Sequence, residues 1–345
     1  MDEALNQLIS TLERGRILPI ADAARAMIAI ADGEADTPTI VRFLRAYNRR
    51  PPVVHEMSAF VEVLRERMVA VQAPAANTIC NCGTGGDGRG TINVSTIAAF
   101  VIAAAGVPVA KHGNRSVSSQ CGSTDCLAGM GVAVSREPQS AQRLLEDHEL
   151  CFLNAPDFHP ALRHASAARR ELAATGEKSI FNLLGPVLNP ASVTRQTMGV
   201  FHADMLLTIA QVLLQSGSQR AYVVHGDGYD ELSVTGASRM ALVDGGGISL
   251  RTIVPEDFRL RRADPGELAG GDAATNARLA EGILRGSQDG AMADVVLLNA
   301  AAGISAGAVD EVDLQDALEV AREALASGRA YRKLEDMRKA APVHA

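Results

Sequence analysis

Tryptophan is absent from the 345-residue sequence, aromatic residues make up 3% of it, and lysine occurs only four times. Proteins that bind nucleic acid without sequence preference usually present a basic surface, often with aromatic rings on which bases stack. The formal net charge of −7 and the scarcity of rings therefore argue against nucleic-acid binding, although a local arginine cluster is compatible with this composition.

Long hydrophobic runs are missing as well. The longest mostly apolar stretch, residues 97–110, falls short of the roughly 18 to 20 residues that a membrane span needs, and Gly106-Val107-Pro108 interrupts it. The acidic start Met1-Asp2-Glu3 lacks the basic and apolar regions of a signal peptide. The sequence thus predicts neither a membrane protein nor a secreted one.

Cysteines are few and odd in number, which in a long chain without a secretion signal predicts reduced thiols and a cytoplasmic location. A zinc site is weakly supported, because no pair of cysteines has a second pair at zinc spacing. The five are Cys80, Cys82, Cys121, Cys126 and Cys151.

Hydrophobic periodicity divides the chain. Apolar residues at helical spacing predict about four helices within residues 1–72 and further, arginine-rich helices from 160 to about 181. Elsewhere short apolar runs alternate with helical patterns, which is typical of a parallel sheet with crossover helices. We expect strands at 78–82, 107–110, 132–134, 221–225 and 294–298, a hairpin over 232–254, and helices over 95–105, 205–215 and 274–284.

Glycine is concentrated where the first strand meets its helix. Four glycines lie between Gly83 and Gly88, so the backbone there can approach a ligand closely and offer N–H groups to a phosphate. A tight structural turn is the alternative for such a loop taken alone.

Two other nucleotide-binding patterns fit this loop poorly. The spacing Gly83-x-Gly85-x-x-Gly88 matches a dinucleotide-binding fingerprint, which expects a helix directly at the glycines and an acidic residue about 20 positions later. Here the helix starts near Ser95 and the next strand ends in Lys111-His112. The Gly-Lys-Ser/Thr of a P-loop is also absent, so a nicotinamide enzyme and a P-loop ATPase both lose support.

Charged residues follow other predicted strands. Lys111 begins a polar loop after the second strand, and Asp230-Glu231 follows the strand at 221–225. Ligands of open α/β sheets bind at such strand ends, where a lysine beside N–H donors suits a phosphate ester and paired carboxylates suit magnesium. A solvated loop and an acidic surface turn are the simpler interpretations unless these ends meet.

Arginines are frequent in the predicted helical segment from 160 to about 181. Arg169 and its neighbours could bind a planar carboxylate through paired hydrogen bonds, although a solvated helix face is the ordinary interpretation for most of them.

Taken in order, the motifs resemble those of the anthranilate phosphoribosyltransferase family over nearly the whole chain. The resemblance implies Mg²⁺-dependent transfer of 5-phosphoribose from phosphoribosyl pyrophosphate to the amine of anthranilate, in tryptophan biosynthesis. The matching segments are Gly83-Thr84-Gly85-Gly86-Asp87, Asn93-Val94-Ser95-Thr96, Lys111-His112-Gly113-Asn114, Gly122-Ser123-x-Asp125, Ala155-Pro156-x-x-His159-Pro160, Ile180-Phe181-Asn182-Leu183-Leu184-Gly185-Pro186, Asp230-Glu231 and Leu298-Asn299-Ala300-Ala301.

The resemblance also implies an architecture. A small, discontinuous α-helical domain (1–72 and 160–183) would form a homodimer and hold the acceptor. A larger α/β domain (73–159 and 184–345), with a mostly parallel central sheet, would bind the donor, and a hinge would join the two.

Site residues are carried over by position. Lys111 and Asp87 would act in catalysis, and Ser95, Asp230 and Glu231 would bind magnesium. Anthranilate would lie against Gly83, Asn114 and Arg169. Phosphoribosyl pyrophosphate would be held by Gly83, Gly86, Asp87, Thr91, Asn93, Ser95, Thr96, Lys111 and Ser123.

Two stretches depart from the family pattern on the acceptor side, and they leave the exact aminobenzoate open. Residues 47–52 replace a Lys-Gly-Glu-Thr-like segment, and the stretch 173–178 is about three residues longer than usual. A pyrimidine-nucleoside phosphorylase would carry a Lys-His-Ser-type loop at Lys111 and needs no acidic pair. A non-catalytic nucleic-acid-binding relative is opposed by the net charge and by the retained acidic residues.

Overall fold

A computed structural model describes residues 2–113 and 121–340. In these residues seven strands form one sheet between helical layers. The strands are β1 Ile79–Gly83, β2 Val109–Gly113, β3 Leu150–Asn154, β4 Arg195–Gly199, β5 Arg220–Gly226, β6 Ser238–Asp244 and β7 Gly247–Ile253. The α-helices are α1 Asp2–Glu13, α2 Ile20–Ala31, α3 Thr37–Tyr47, α4 Val54–Glu66, α5 Val94–Ala104, α6 Ser123–Gly129, α7 Pro138–His148, α8 Ala155–Phe158, α9 Ser166–Ala174, α10 Ile180–Val187, α11 Met205–Gln215, α12 Ala273–Arg285, α13 Ala291–Gly307, α14 Leu314–Ala326 and α15 Arg329–Lys339.

The sheet is mostly parallel, which confirms the predicted α/β class. Its strand order is β3-β2-β1-β4-β5-β6-β7, with β3 through β5 parallel and β6 and β7 added as an antiparallel hairpin. From β1 the chain first builds outward through β2 and β3 and later returns to place β4 on the other side. Such a reversal leaves a crevice at the carboxyl ends of the strands, where α/β proteins bind ligands.

Each face of the sheet carries a large apolar core. On one face α5 and the almost fully buried α13 pack against the strands. On the other face one continuous cluster runs from α1–α4 through α10 and α11 to the sheet, and it joins Phe43, Leu184 and Val223. The N-terminal helices therefore share a core with the sheet, and the domain limits remain a prediction. No helix in the described ranges is long and apolar enough to cross a membrane.

Several local predictions are confirmed, and two are wrong. The four N-terminal helices, the helix at 205–215 and the hairpin are present. Residues 294–298 lie within α13 and do not form a strand. The prediction was wrong because a helix buried on all sides has no polar face, so its sequence lacks a helical period. Residues 132–134 form no strand; the third strand is β3, and neither β3 nor β4 was predicted from the sequence.

His159, which follows α8, provides a test of acid stability. It is 5% exposed, and its Nε2 has no hydrogen-bond partner among the described residues. Burial, and then the nearby charge of His112, lower the pKa of His159 to about 4. The unfolded chain binds this proton near pH 6.5 and the folded protein does not. The associated stability is therefore complete above pH 6.5 and is lost as the pH falls through 4.

We expect His159→Gln to remove about 3 kcal/mol of this acid sensitivity, because glutamine stays neutral. The measurement is urea unfolding at pH 7 and pH 4, and the quantity compared between wild type and variant is the change in unfolding free energy between the two pH values. The exposed His202→Gln is the control and should follow wild type. Parallel pH profiles for wild type and His159→Gln would contradict the prediction.

Candidate active site

The carboxyl ends of β1, β4 and β5 surround a small cavity of about 20 Å³. Its walls include Asn81, Ser95, Gly199, Asp230 and Glu231. This volume accommodates about one water molecule or one metal ion. The predicted convergence of the glycine-rich segment and the acidic pair is present, because Gly83 and Gly85 both lie against Asp230.

The loop after β1 is fixed at its far end. Gly270 donates a backbone hydrogen bond to Gly90 at 2.9 Å, and Ile92 donates one to Leu268 at 3.2 Å. Thr91 lies inside this clip and forms a bridge with Ala269. Between β1 and the clip, the residues around Gly86 (φ +77°) adopt a backbone shape that favours glycine.

The acidic turn packs directly on β1 and β4. The Gly85 N–H donates to Asp230 Oδ2 at 2.6 Å. A Cβ atom on Gly83 would overlap the Asp230 carboxylate, and one on Gly199 would overlap the Asp230 backbone carbonyl. The turn that carries Asp230 can therefore pack against the ends of β1 and β4 only because both strands end in glycine.

Arg89 ties the glycine-rich loop to the same turn. Its guanidinium lies 5.0 Å from the Tyr229 ring centroid and donates to the carbonyls of Gly228 at 3.3 Å and Asp227 at 3.2 Å. The loop and the turn therefore form one structural unit.

Negative charge accumulates in this unit. Desolvation, and then the neighbouring Asp87, raise the pKa of Asp230 to about 6. Desolvation, followed by Asp230 and Asp87, raises the pKa of Glu231 well above its usual range, with Lys111 and the Ser95 backbone N–H opposing the rise. Asp230 and Glu231, with Asp87 near enough to affect both, thus have too little positive charge around them, an arrangement that favours binding of a cation.

Lys111 lies inside β2 and not in the polar loop after it, so the solvated-loop alternative does not apply to this residue. It is 4% exposed, and its Nζ donates to the Asn81 carbonyl at 2.6 Å and to Ser95 Oγ at 3.1 Å. Burial lowers its pKa, and nearby thiols and the carboxylates of Glu231 and Asp230 counter that effect. The ammonium thus links β2 to β1 and to the first turn of α5.

The remaining donor-side residues surround the start of α5. Asn93 precedes that helix and accepts a hydrogen bond from Asn276 at 2.9 Å, and Thr96 is buried in its first turn. Ser123, at the start of α6, lies next to Gly113, where an added Cβ would meet its hydroxyl. Asn114 lies outside the described residues.

Arg169 lies on α9, one helix away from the strand ends. Its guanidinium is 5.6 Å from the Phe181 ring centroid, and burial lowers its pKa. Among the described residues no carboxylate lies within ion-pair distance of it. From Phe181, α10 continues to β1 and β2, where the Pro186 carbonyl accepts from Cys82 at 3.8 Å and Gly185 pairs with His112 at 2.8 Å.

Three residues were missed as site components. Arg89 lies within the glycine-rich run, and Lys178 is one of only four lysines, so each carried a weak signal. Asn299 belongs to a matched segment but had no assigned role. Its side chain accepts from the Leu232 N–H at 2.9 Å and donates to the Leu232 carbonyl at 2.8 Å, which fixes the residue after Glu231.

The donor set fits magnesium better than a transition metal. Within residues 2–113 and 121–340, no three His, Cys, Asp or Glu side chains converge as a metal cluster. Magnesium is commonly bound through one or two carboxylates, with water and substrate phosphates completing its shell. Asp230 and Glu231 beside a cavity of one-ion size match that requirement.

Comparison with known proteins gives consistent results. Residues 75–331 match the sequence model of the "Glycosyl transferase family, a/b domain". The anthranilate phosphoribosyltransferase of Moorella thermoacetica is 46% identical over 335 residues, covering 96% of this chain and 97% of that protein. The crystal structure of the Thermus thermophilus enzyme of that name has a TM-score of 0.89 at 38% identity, covering 96% and 98% of the two chains. The Saccharomyces cerevisiae enzyme, solved with PRPP and Mg, has the same fold, with a TM-score of 0.87 at 24% identity and coverage of 99% and 98%.

Proposed function

This chain belongs to the anthranilate phosphoribosyltransferase family, and from that premise we propose that it transfers 5-phosphoribose from phosphoribosyl pyrophosphate to the amine of anthranilate. The products are N-(5-phosphoribosyl)anthranilate and pyrophosphate. The observation that carries the proposal is the meeting of Ser95, Asp230 and Glu231 at one cavity at the strand ends. Gly83 lies against the Asp230 carboxylate, and the Lys111 ammonium donates to Ser95.

Charge separation dominates the chemistry. As the bond from ribose C1 to the pyrophosphate oxygen breaks, positive charge develops on the sugar and negative charge on the leaving group. Backbone N–H groups of the glycine-rich loop would donate to that negative charge, and the Lys111 ammonium, which is fixed by its hydrogen bonds to Asn81 and Ser95, would oppose it. The amine forms the new bond to C1 and then loses its proton readily, so a strong general base is not required.

Ser95, Asp230 and Glu231 would hold Mg²⁺, since the raised pKa values of both carboxyl groups indicate a shortage of positive charge. When bound, the metal ion supplies further neutralisation of the pyrophosphate charge. Asp87, which adds to the field at Asp230, would complete the acidic surroundings of that ion.

Arg169 would bind the anthranilate carboxylate. A guanidinium is a natural partner for a planar carboxylate, and this one lies against an aromatic ring with no carboxylate at ion-pair distance among the described residues. Its role is to orient the acceptor so that the amine faces C1.

We expect Arg169→Ala to raise the KM for anthranilate roughly 10-fold to 100-fold, the loss of a charge-assisted hydrogen bond. The KM for phosphoribosyl pyrophosphate should stay near its wild-type value. Arg170→Ala, an exposed arginine on the same helix, is the matched control. An unchanged anthranilate KM in Arg169→Ala would refute this assignment.

The activity itself is tested by fluorescence. Anthranilate fluorescence should decline when the protein is mixed with anthranilate, phosphoribosyl pyrophosphate and Mg²⁺, and EDTA should stop the decline. A parallel reaction with thymidine and phosphate should release no thymine. Thymine release without anthranilate consumption would identify a nucleoside phosphorylase instead.

Assembly and location follow the same proposal. We propose a cytoplasmic homodimer formed through the helices of residues 1–72 and 160–183, which would act as a small domain hinged to the rest. Light scattering should give about twice the chain mass of 36.2 kDa. A monomeric mass at working concentration would exclude the dimer.

A further inference from the structure

The two stretches that depart from the family pattern contact each other. Asn48, at the end of α3, donates its side-chain amide to the carbonyl of Lys178 at 2.6 Å. Arg45, one turn earlier, pairs with Glu177 at 3.0 Å. The longer connector between α9 and α10 is therefore anchored to α3 immediately before and at Lys178.

The Lys178 side chain extends from this anchor to the glycine-rich loop. Its ammonium lies 3.6 Å from the Phe201 ring centroid, and a Cβ on Gly86 would lie 3.1 Å from its Cε atom. Phe201 is itself fixed to the loop, because its N–H donates to the Thr84 hydroxyl at 3.0 Å. The cation thus lies next to Gly86 in the glycine-rich loop.

The charge of Lys178 is only loosely compensated. Among the described residues, no carboxylate lies within ion-pair distance of its ammonium, although Asp230 and Asp87 are near enough to influence it. Partial burial lowers its pKa. A half-buried ammonium against a ring, beside N–H donors and opposite carboxylates suited to magnesium, is well placed to receive a polyphosphate.

We propose that Lys178 binds the pyrophosphate group of the donor, and that Asn48 and Arg45 act as positioning residues that hold the connector so that the lysine reaches it. This inference rests on the proposed phosphoribosyl transfer. It assigns a function to the altered connector between α9 and α10: the connector places the Lys178 ammonium next to the glycine-rich loop, where the donor would bind.

Titration calorimetry with inorganic pyrophosphate and MgCl₂ tests the contact directly. Lys178→Met should weaken pyrophosphate binding roughly 10-fold to 100-fold, as expected for a lost charge-assisted contact. The KM for phosphoribosyl pyrophosphate should rise in parallel, with little change in the KM for anthranilate. Lys339→Met, an exposed lysine at the end of α15, is the control.

The positioning role makes a separate prediction. Asn48→Ala should weaken pyrophosphate binding by a smaller factor than Lys178→Met. In the Lys178→Met background it should have no further effect, because the positioned group is gone. If Asn48→Ala weakens pyrophosphate binding equally with and without Lys178, the proposed positioning is wrong.

The outcomes separate this inference from the proposed function. An active wild type whose Lys178→Met variant binds pyrophosphate normally overturns the inference alone, even if the variant melts earlier. A wild type that neither consumes anthranilate nor binds pyrophosphate refutes the proposed function. Should Lys178→Met fail to fold, Lys178→Gln provides the same neutral comparison with a polar side chain.

Discussion

Asp230→Asn is expected to lower the turnover of anthranilate roughly 100-fold to 1,000-fold, the range for removing one preorganised electrostatic group. The carboxylate lies at the cavity, accepts the Gly85 N–H and raises the pKa of Glu231. Asparagine keeps nearly the same shape, so the loss should come from charge. Activity at saturating Mg²⁺ should remain low, and a higher Mg²⁺ concentration should be needed for half-maximal turnover.

The same substitution should not destabilise the metal-free protein. Desolvation and Asp87 raise the pKa of Asp230 to about 6, so the folded state loses stability as the pH rises from the unfolded value near 3.8 through 6. A neutral asparagine lacks this penalty. In EDTA, Asp230→Asn should therefore gain stability relative to wild type between pH 4 and pH 7.5, as measured by urea unfolding.

Asp227→Asn is the matched control, because this exposed acid lies three residues earlier in the same turn. It should retain turnover, Mg²⁺ dependence and stability near wild-type values. If Asp230→Asn consumes anthranilate as fast as Asp227→Asn, the acidic turn takes no part in the mechanism.

The fold could be predicted from the sequence where local patterns were strong. The helix at 205–215 has an unambiguous apolar stripe, and its predicted bounds are those of α11. The strand β4 begins Arg195-Gln196-Thr197 and lacks the apolar alternation that identifies a strand, so it was not predicted. Tertiary packing buries it in the centre of the sheet, which a local sequence pattern does not show. The strand predicted at 294–298 was wrong although the run is strongly apolar, because an apolar run without a period suits a strand and a buried helix equally.

The site was predictable only in part. Strand ends bearing glycine, lysine and paired carboxylates could be identified along the chain, and the parallel sheet brought Gly83, Lys111 and Asp230 together. The inward course of Lys111 follows from strand pairing, which no local pattern encodes. Lys178 depends on the path of a connector held by Asn48, and a contact over 130 residues of sequence leaves no local signature.

Lys111→Met is expected to combine a loss of stability with a loss of activity. The buried ammonium is the cation that opposes the raised pKa of Glu231, and its hydrogen bonds join β1, β2 and α5. Removing one partner from a buried set of charges typically destabilises a protein by about 3–5 kcal/mol, because the remaining charge is left uncompensated. Turnover should fall roughly 100-fold or more, since the group also opposes charge on the leaving pyrophosphate.

The sign of the pH dependence distinguishes this electrostatic role from simple packing. Without Lys111, Glu231 and Asp230 lose an opposing charge, so they should bind protons more readily in the folded state, and the deficit in stability should be smaller at pH 5 than at pH 8. Lys333→Met, which removes a lysine bonded to the His148 carbonyl at the end of α7, should show a small deficit at both pH values. A deficit of Lys111→Met that is equal at pH 5 and pH 8 would indicate that the lysine acts through packing and hydrogen bonds alone, because only the electrostatic contribution changes when the carboxylates become protonated.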